Sequence, residues 1–195
     1  MLALVWGAYD DLRNQVLSGI DCAQADEDLE RSVTQLLVPR IQYRMSGLEP
    51  FCITHGPYEW ATRQQPPAQP PQYDLAFILN VNPRVMWPLE AKVLRTDQAV
   101  ANYVRDVQQQ FLTGRYAPFT PSAAMLGYLL DGEPDAAFRA IEIRLGCKLA
   151  PHAAFTNRPH RTSEHTRQTT MLSETPRDFR CHHLVFALRV SRPGP

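Results

Sequence analysis

Two apolar runs separated by a short turn constrain the fold of this chain most strongly. Residues 73–80 read YDLAFILN and residues 85–94 read VMWPLEAKVL, and both have the apolar and aromatic content that is typical of strands. Residues 82–84 (Asn-Pro-Arg) turn the chain between them, because proline fixes its own φ angle and cannot donate to a sheet ladder. The sequence therefore predicts a β-hairpin.

Three charged side chains interrupt this apolar hairpin. Glu90 and Lys92 are two residues apart, so they project from the same face of one strand. With residues 82–84 as the loop, the position opposite Asp74 lies near Lys92, or at Ala91 if the loop differs by one residue. We therefore expect two carboxylates and one amine within side-chain reach of each other.

This set of groups is suited to hydrolysis of a phosphodiester bond with the help of a metal ion. Carboxylate oxygens are the ligands that Mg²⁺ prefers, and the ion polarises a phosphoryl oxygen and lowers the pKa of a bound water. A neighbouring lysine orients that water or stabilises the charge that develops on the phosphate. The structural alternative is a cross-strand ion pair between Asp74 and Lys92 at a sheet edge. The apolar character of both strands favours the catalytic interpretation.

Asp74, followed after the hairpin by residues 90–92 (Glu-Ala-Lys), resembles the motif of the PD-(D/E)XK nuclease superfamily. That motif places an acid on one strand and (D/E)-X-K on the next, and here Tyr73 stands where the motif has proline. The resemblance covers about residues 26–130, in the order helix, strand, Asp strand, Glu-x-Lys strand, helix, strand. It implies an α/β fold of the restriction-endonuclease-like type, with a mixed central β-sheet flanked by helices.

The resemblance also implies roles for single residues. Asp74 and Glu90 would hold Mg²⁺ or Mn²⁺, the carbonyl of Ala91 would be a further ligand, and Lys92 would position the attacking water. The first core helix of the family often carries an extra acid, a position that Glu30 fills in this sequence. The helix after the lysine often supplies a polar residue, for which the candidates are Gln109 and Gln110.

The function that the resemblance implies is that of a metal-dependent endonuclease. The expected substrate is DNA, with RNA as the alternative polymer, in restriction, phage defence, repair or the processing of mobile elements. A chain without a separate DNA-reading domain needs a homodimer or a multi-protein system to gain specificity. Two alternatives stay open: a catalytically inactive binding or regulatory module with the same fold, and a structural subunit of a larger assembly.

The remaining sequence predicts helices and strands around the hairpin, in a single domain of 195 residues. Helices are expected over residues 1–19, from 26 to a kink or boundary near 38 caused by Pro39, from a cap at Thr96-Asp97 to Gly114, and over 134–145. Strands are expected at 51–54, 123–130 and 183–190, and loops at 63–72 and 151–180. The third helix has an apolar stripe that places Tyr103 in the core. The predicted core spans about residues 26–145, followed by a basic loop and strand over 151–195.

Net charge is zero, so it predicts neither a nucleic-acid nor a membrane partner, but the charges are unevenly distributed. Residues 151–195 carry seven arginines, which would allow phosphate contacts or form an ordinary solvated surface. Arg115 is a candidate for phosphate binding and Tyr116 for base stacking, against the alternative of a helix end with aromatic packing. Residues 158–168 (RPHRTSEHTRQ) are expected to be a flexible surface loop or a contact with nucleic acid or a partner.

Cysteines and histidines do not predict a zinc site. The four cysteines contain no C-x₂-C pair, and the histidines of the last third have no matching second pair. Widely spaced cysteines indicate reduced thiols and an intracellular protein. The first eleven residues, MLALVWGAYDD, are too short and become acidic too soon for a signal peptide or a membrane helix, so a cytoplasmic location is expected.

Overall fold

A computed structural model describes residues 1–15, 19–65, 68–168 and 171–188. These residues form a mixed α/β fold with four α-helices and a seven-stranded mixed sheet, which confirms the predicted class. No helix in these ranges combines the length and the apolar character needed to cross a membrane.

The sheet has the strand order β1-β2-β3-β4-β7-β6-β5. The strands are β1 (Phe51–His55), β2 (Leu75–Leu79), β3 (Met86–Leu94), β4 (Ser122–Leu129), β5 (Ala150–Pro151), β6 (His160–Thr166) and β7 (Asp178–Ala187). The central pairs β3/β4 and β4/β7 are parallel, and the outer pairs on both sides are antiparallel. Strand β4, which is parallel to both of its neighbours, is buried on both faces, and this explains its continuous apolar sequence.

Helices cover both faces of this sheet. They are α1 (Leu2–Gln15), α2 (Asp26–Arg44), α3 (Ala101–Asp106) and α4 (Pro134–Leu145). One apolar core lies between the sheet and α1 and α2, and it includes Leu89, Ala91, Leu184 and Phe186. A second core lies between the opposite face and α3 and α4. The predicted stripe of the third helix is buried in that second core, Tyr103 included.

The predicted boundary of α2 near residue 38 is wrong, whereas the alternative of a kink there stays a prediction. Helix α2 continues through Pro39 to Arg44, because Pro39 lies on the exposed side of the helix, where solvent can reach the carbonyl that loses its donor. The predicted cap of the third helix is also wrong. Helix α3 begins at Ala101 after Val100 and has no side-chain cap, so Thr96 and Asp97 do not cap it. The Asp97 carboxylate instead accepts a hydrogen bond from the Glu133 amide at 3.3 Å.

The predicted loop over residues 151–180 is also wrong in part, because its middle forms strand β6 and its end begins strand β7. Residues 158–168 are polar, yet the side chains of His160, Ser163 and Arg167 are buried. Partners in the fold satisfy these groups: Ser163 Oγ, for example, lies 2.8 Å from His183 Nε2. A polar strand is stable here because each buried polar group has a hydrogen-bond partner, which the local sequence does not reveal.

Candidate functional site

The hairpin brings Asp74 beside Glu90, at a register different from the predicted one. Leu75 pairs with Leu89, so the next step along the ladder sets Asp74 opposite Glu90 rather than opposite Ala91 or Lys92. The predicted three-residue loop is too short: the chain between β2 and β3 has six residues and is closed by a hydrogen bond from the Leu79 amide to the Val85 carbonyl, 3.0 Å long.

The pairing between β2 and β3 ends at Leu75 and Leu89. The part of β3 after Leu89 therefore has no neighbouring strand on that side, and we call this opening the notch. Two backbone amides of β3 at the notch donate to carboxylates instead of to carbonyls of β2. Ala91 N donates to Asp74 Oδ2 at 2.6 Å, and Val93 N donates to Glu30 Oε1 at 2.8 Å. The two acids are therefore held in place by the backbone of the Glu-x-Lys strand itself.

Lys92 lies at the centre of the acids gathered at this notch. Its Nζ is 3.1 Å from Glu90 Oε1, 3.4 Å from Glu30 Oε2 and 3.3 Å from an oxygen of Asp106. It also donates to the Ala91 carbonyl at 2.6 Å. We call Glu30, Asp74, Glu90 and Asp106, together with Lys92, the acidic cluster.

Asp106 is a member of this cluster that the sequence interpretation missed. It lies at the end of α3 and is 8 % exposed, and its carboxylate is 3.6 Å from the guanidinium of the preceding Arg105. The available signal was its place on the helix: Asp106 is three residues after the buried Tyr103 and one before the buried Val107, so it faces the sheet. A charged residue beside an apolar stripe indicates a buried polar function.

The acidic cluster holds more negative than positive charge. Four carboxylates face the Lys92 ammonium and the exposed Arg105 guanidinium, which lies 3.6 Å from Asp106. The side chains of Lys92, Glu30, Glu90 and Asp106 are each no more than 15 % exposed. Burying charges without an equal number of opposite charges is costly. The cluster is therefore a place where an additional cation would be stabilised.

The pKa values follow from this imbalance. Burial raises the pKa of Glu30, Asp74 and Glu90 above their ordinary values, and the neighbouring Asp74 carboxylate raises that of Glu90 further. Burial alone would lower the pKa of Lys92, but the surrounding carboxylates, Glu90 first, raise it above its ordinary value. The surrounding carboxylates therefore favour the ammonium form of Lys92 at neutral pH.

The donor set fits a hard divalent cation in kind. Glu90 Oε2 is buried and has no hydrogen-bond partner, which leaves one carboxylate oxygen free to bind an ion. Carboxylate oxygens and a carbonyl are suitable ligands for Mg²⁺. The Ala91 carbonyl, however, already accepts a hydrogen bond from the Lys92 ammonium. Among the described residues, no three of these acids present ligand oxygens within 4.8 Å of one another, so an ion would have to displace the ammonium and draw the oxygens together.

A cavity of about 300 Å³ opens onto the acidic cluster. Glu30 and Asp74 line it, and Arg31 and His55 stand beside them. The cavity is large enough for a phosphate group and a few waters, and it lies at the lower end of the range for ligand sites. Glu30 and Asp74 are thus accessible from the surface, and Glu27 lines the same opening as Arg31 and His55.

The other predicted residues lie in different surroundings. Tyr116 is 8 % exposed, donates to the Gln72 carbonyl at 2.7 Å and packs edge-on against Tyr73 and Phe111, which favours the packing alternative over base stacking. Gln109 is exposed, and Gln110 carries a buried Oε1 without a partner; both lie in a π-helical turn that continues α3. Arg115 is partly buried.

The arginines near the C-terminus are engaged mostly within the fold. Arg158 forms a bidentate pair with Asp10 at 2.6–2.7 Å, which joins the basic end of the chain to its acidic start. Arg161 pairs with Asp135 and Arg180 with Glu164. Arg167 is buried and donates to backbone carbonyls of the segment that follows α3, the Phe111 carbonyl among them at 2.8 Å. Arg189 and Arg192 lie outside the described residues.

In comparisons with known proteins, no family model, no curated protein and no solved structure matches the chain.

Proposed function

We propose that this chain is a metal-dependent nuclease with a restriction-endonuclease-like fold. One observation carries the proposal: three carboxylates lie within 3.4 Å of Lys92 Nζ at a notch in the sheet that also holds Asp74, and Glu90 Oε2 is buried without a partner. An excess of buried carboxylates is expected where a divalent cation binds. Lysine beside such an ion is suited to the charge that develops during phosphodiester hydrolysis.

The order of elements supports the same class. The chain runs α2, β1, β2, β3, α3, β4, which is the order helix, strand, Asp strand, Glu-x-Lys strand, helix, strand. Asp74 directly precedes β2, Glu90 and Lys92 lie on β3, and Glu30 lies on α2. This agreement supports the resemblance through the arrangement of the elements, whereas the short motif alone has little specificity.

The residues of the acidic cluster would have different roles in hydrolysis. Asp74 and Glu90 would hold Mg²⁺ or Mn²⁺, with the Ala91 carbonyl as a further ligand once Lys92 releases it. The bound ion supplies Lewis-acid chemistry and a water of lowered pKa. Lys92, as an ammonium, would hold the attacking water and balance charge on the phosphate. Glu30, anchored to Val93 N, would keep Lys92 in position, and Asp106 would do so from α3.

The proposed substrate is a nucleic acid, DNA by the resemblance, with RNA as the alternative polymer. Arg31 and His55 beside the cavity would contact phosphates next to the scissile one. Trp60 and Tyr58 follow β1 and are 62 % and 42 % exposed, which offers aromatic surface on which an unpaired base could stack. A homodimer or partner protein would extend this small surface.

The test is cleavage of supercoiled plasmid, single-stranded DNA and RNA with Mg²⁺, Mn²⁺ or EDTA. Wild type would be compared with Asp74→Asn and Glu90→Gln, which remove charge and keep side-chain size, and with Lys148→Gln, a change at the only other lysine, which is exposed. We expect cleavage that requires the metal, is lost in the first two variants and is unchanged in the third. Circular dichroism would verify folding.

Binding of Mn²⁺, measured by calorimetry on the same proteins, separates the alternatives. Binding without cleavage, lost in Asp74→Asn, would indicate the regulatory module that keeps the site but performs no chemistry. Absence of both binding and cleavage would overturn the proposal and leave the acidic cluster as a structural ion-pair network.

A further inference from the structure

Three histidines on the other face of the sheet form a second group, which we call the histidine cluster: His152, His160 and His182. His160 pairs with Leu184 across β6 and β7, and His182 is two residues before Leu184, so both rings project toward α1 and α2. His152 directly precedes a 3₁₀ turn at residues 153–155. Within the described part of the chain, this is the only group of three or more His, Cys, Asp or Glu side chains whose ligand atoms all lie within 4.8 Å of one another.

The distances suit a transition metal. His160 Nε2 and His182 Nδ1 are 3.2 Å apart. Two nitrogens bound to one tetrahedral zinc lie about 3.4 Å apart, given Zn–N bonds of about 2.0–2.1 Å. The ring of His152 stacks on that of His160 with centroids 4.5 Å apart, and it is the partly exposed member of the group. Its ligand nitrogen lies within 4.8 Å of those of His160 and His182, so a rotation of the His152 ring would bring the three nitrogens around one ion.

The backbone supports this arrangement before any metal binds. His152 N donates to the His160 carbonyl at 3.1 Å, which fixes the loop against β6. His152 Nδ1 accepts from the Ala154 amide at 3.2 Å, so the metal-free ring carries its proton on Nε2. Zinc on His152 Nε2 would require that proton to move to Nδ1 and the contact with the Ala154 amide to break.

We propose that His152, His160 and His182 bind one Zn²⁺ ion, with a water molecule in the fourth position. Imidazole nitrogen is a preferred ligand of zinc, and three protein ligands with one open position form a recognised type of zinc site. The ion would join the loop before the 3₁₀ turn to β6 and β7 and so clamp the β5 edge of the sheet. This site does not depend on the proposed nuclease function, because its ligands and its face of the sheet are different.

Trp6 on α1 provides a consequence that can be measured. Its indole Nε1 donates to His160 Nδ1 at 3.3 Å, so the metal-free ring carries its proton on Nε2 and donates it to His182. Zinc on His160 Nε2 requires that proton on Nδ1, where it would face the indole N–H. Metal binding must therefore break the contact with Trp6. Removing the indole N–H should therefore increase the affinity for zinc.

The experiment is a titration of the EDTA-treated full chain with Co²⁺ followed by Zn²⁺. Co²⁺ bound with low coordination number absorbs visible light far more strongly than the hydrated ion, so its spectrum reports the site without any activity assay. We expect saturation at one equivalent, displacement by one equivalent of Zn²⁺, a change in tryptophan fluorescence, and tighter binding in Trp6→Phe. In His152→Gln the affinity should fall by at least about 100-fold, because loss of even an outer partner costs about 10–100-fold.

Two controls assign the signal to this cluster. His165→Gln changes a histidine of the same strand that faces the other way and bonds to Ser163, and it should leave the affinity unchanged. Asp74→Asn should also retain the Co²⁺ spectrum, which separates this site from the acidic cluster. The proposal is overturned if stoichiometric Co²⁺ gives no such spectrum, or if His165→Gln or Asp74→Asn lowers the affinity as much as His152→Gln does. Melting curves in EDTA would verify that each variant folds.

Discussion

The acidic cluster and the histidine cluster use the two faces of one sheet in different ways. Glu90 and Lys92 alternate with Leu89 and Ala91 along β3, so they project toward α3 and α4, whereas the histidines project toward α1 and α2. The first cluster is anionic and has an excess of carboxylates around one ammonium. The second is neutral, because burial keeps the pKa of His160 and His182 low.

With this difference in charge, the two proposed sites would favour different ions. Carboxylate and carbonyl oxygens suit Mg²⁺, which keeps several waters, while imidazole nitrogens suit zinc. The cost of each cluster without its ion also differs. Unbalanced carboxylates destabilise the fold through buried charge, whereas the neutral imidazoles form hydrogen bonds with each other and with Trp6. Only the acidic cluster is therefore expected to be electrostatically strained when empty of divalent ions.

The largest expected effect comes from removing the one cation of the acidic cluster. Lys92→Met should lower the free energy of unfolding by about 3–5 kcal/mol at pH 7, because carboxylates would be left buried without their partner. Lys148→Met, at an exposed position, should change it by no more than about 0.5 kcal/mol. Urea unfolding measures both, and Mg²⁺ should restore part of the stability of Lys92→Met. Equal stability of the two variants would show that the acids are already protonated and that the charge contrast between the faces is false.

The second effect is a pair of opposite pH dependences. Burial raises the pKa of Glu90, so its protonated form is favoured in the folded state and stability falls as the pH rises above the unfolded pKa of about 4.3. Burial lowers the pKa of His182 to about 4, so stability falls as the pH drops from about 6.5 toward 4. In urea titrations between pH 4.5 and 6.5, Glu90→Gln should therefore steepen the rise of stability with pH, and His182→Gln should flatten it.

If Glu90→Gln and His182→Gln change the slope of the free energy of unfolding against pH in the same direction, the opposite pKa shifts assigned to the two clusters are wrong. Glu174→Gln provides an exposed control for the loss of one carboxylate. Repeating the titration with Mg²⁺ adds a further check, since the ion should reduce the pH dependence that Glu90 contributes and leave that of His182 unaffected.

The smallest expected effect concerns Glu30, which reaches the acidic cluster from outside the hairpin. Glu30→Gln keeps an oxygen for Val93 N and removes the charge beside Lys92. The rate of metal-dependent cleavage should fall by about 10–100-fold, as for other groups that position a ligand or a catalytic residue. Cleavage rates at saturating Mg²⁺ measure this, with Glu174→Gln as the control. A complete loss equal to that of Asp74→Asn would make Glu30 a direct ligand instead.

The two clusters also differ in how far the sequence predicts them. Asp74, Glu90 and Lys92 lie within one hairpin, so alternation along a strand and one turn suffice to place them together. The register was still wrong by at least one residue, because the length of the turn is set by hydrogen bonds such as that from Leu79 N to Val85 O, which proline and asparagine do not specify. Asp106 was missed because it comes from another element.

The histidine cluster could not be predicted from spacing. His160 and His182 are 22 residues apart, and they meet only because β6 and β7 pair antiparallel at a register that the polar residues of β6 do not reveal. Zinc motifs that can be recognised in a sequence have pairs of ligands close together along the chain. Here the ligands come from two strands and a loop, so no local pattern exists to be found.

The sequence by itself determined the mixed α/β class, the central hairpin and the apolar faces of its strands and helices, because periodicity and turn chemistry are local properties of the chain. Tertiary structure decided what the buried polar residues do. It placed Glu30 and Asp106 around Lys92, satisfied Arg167 with carbonyls, and turned a polar segment into strand β6. The reason is physical: the cost of a buried charge or imidazole depends on partners distant in sequence, and only the folded chain supplies them.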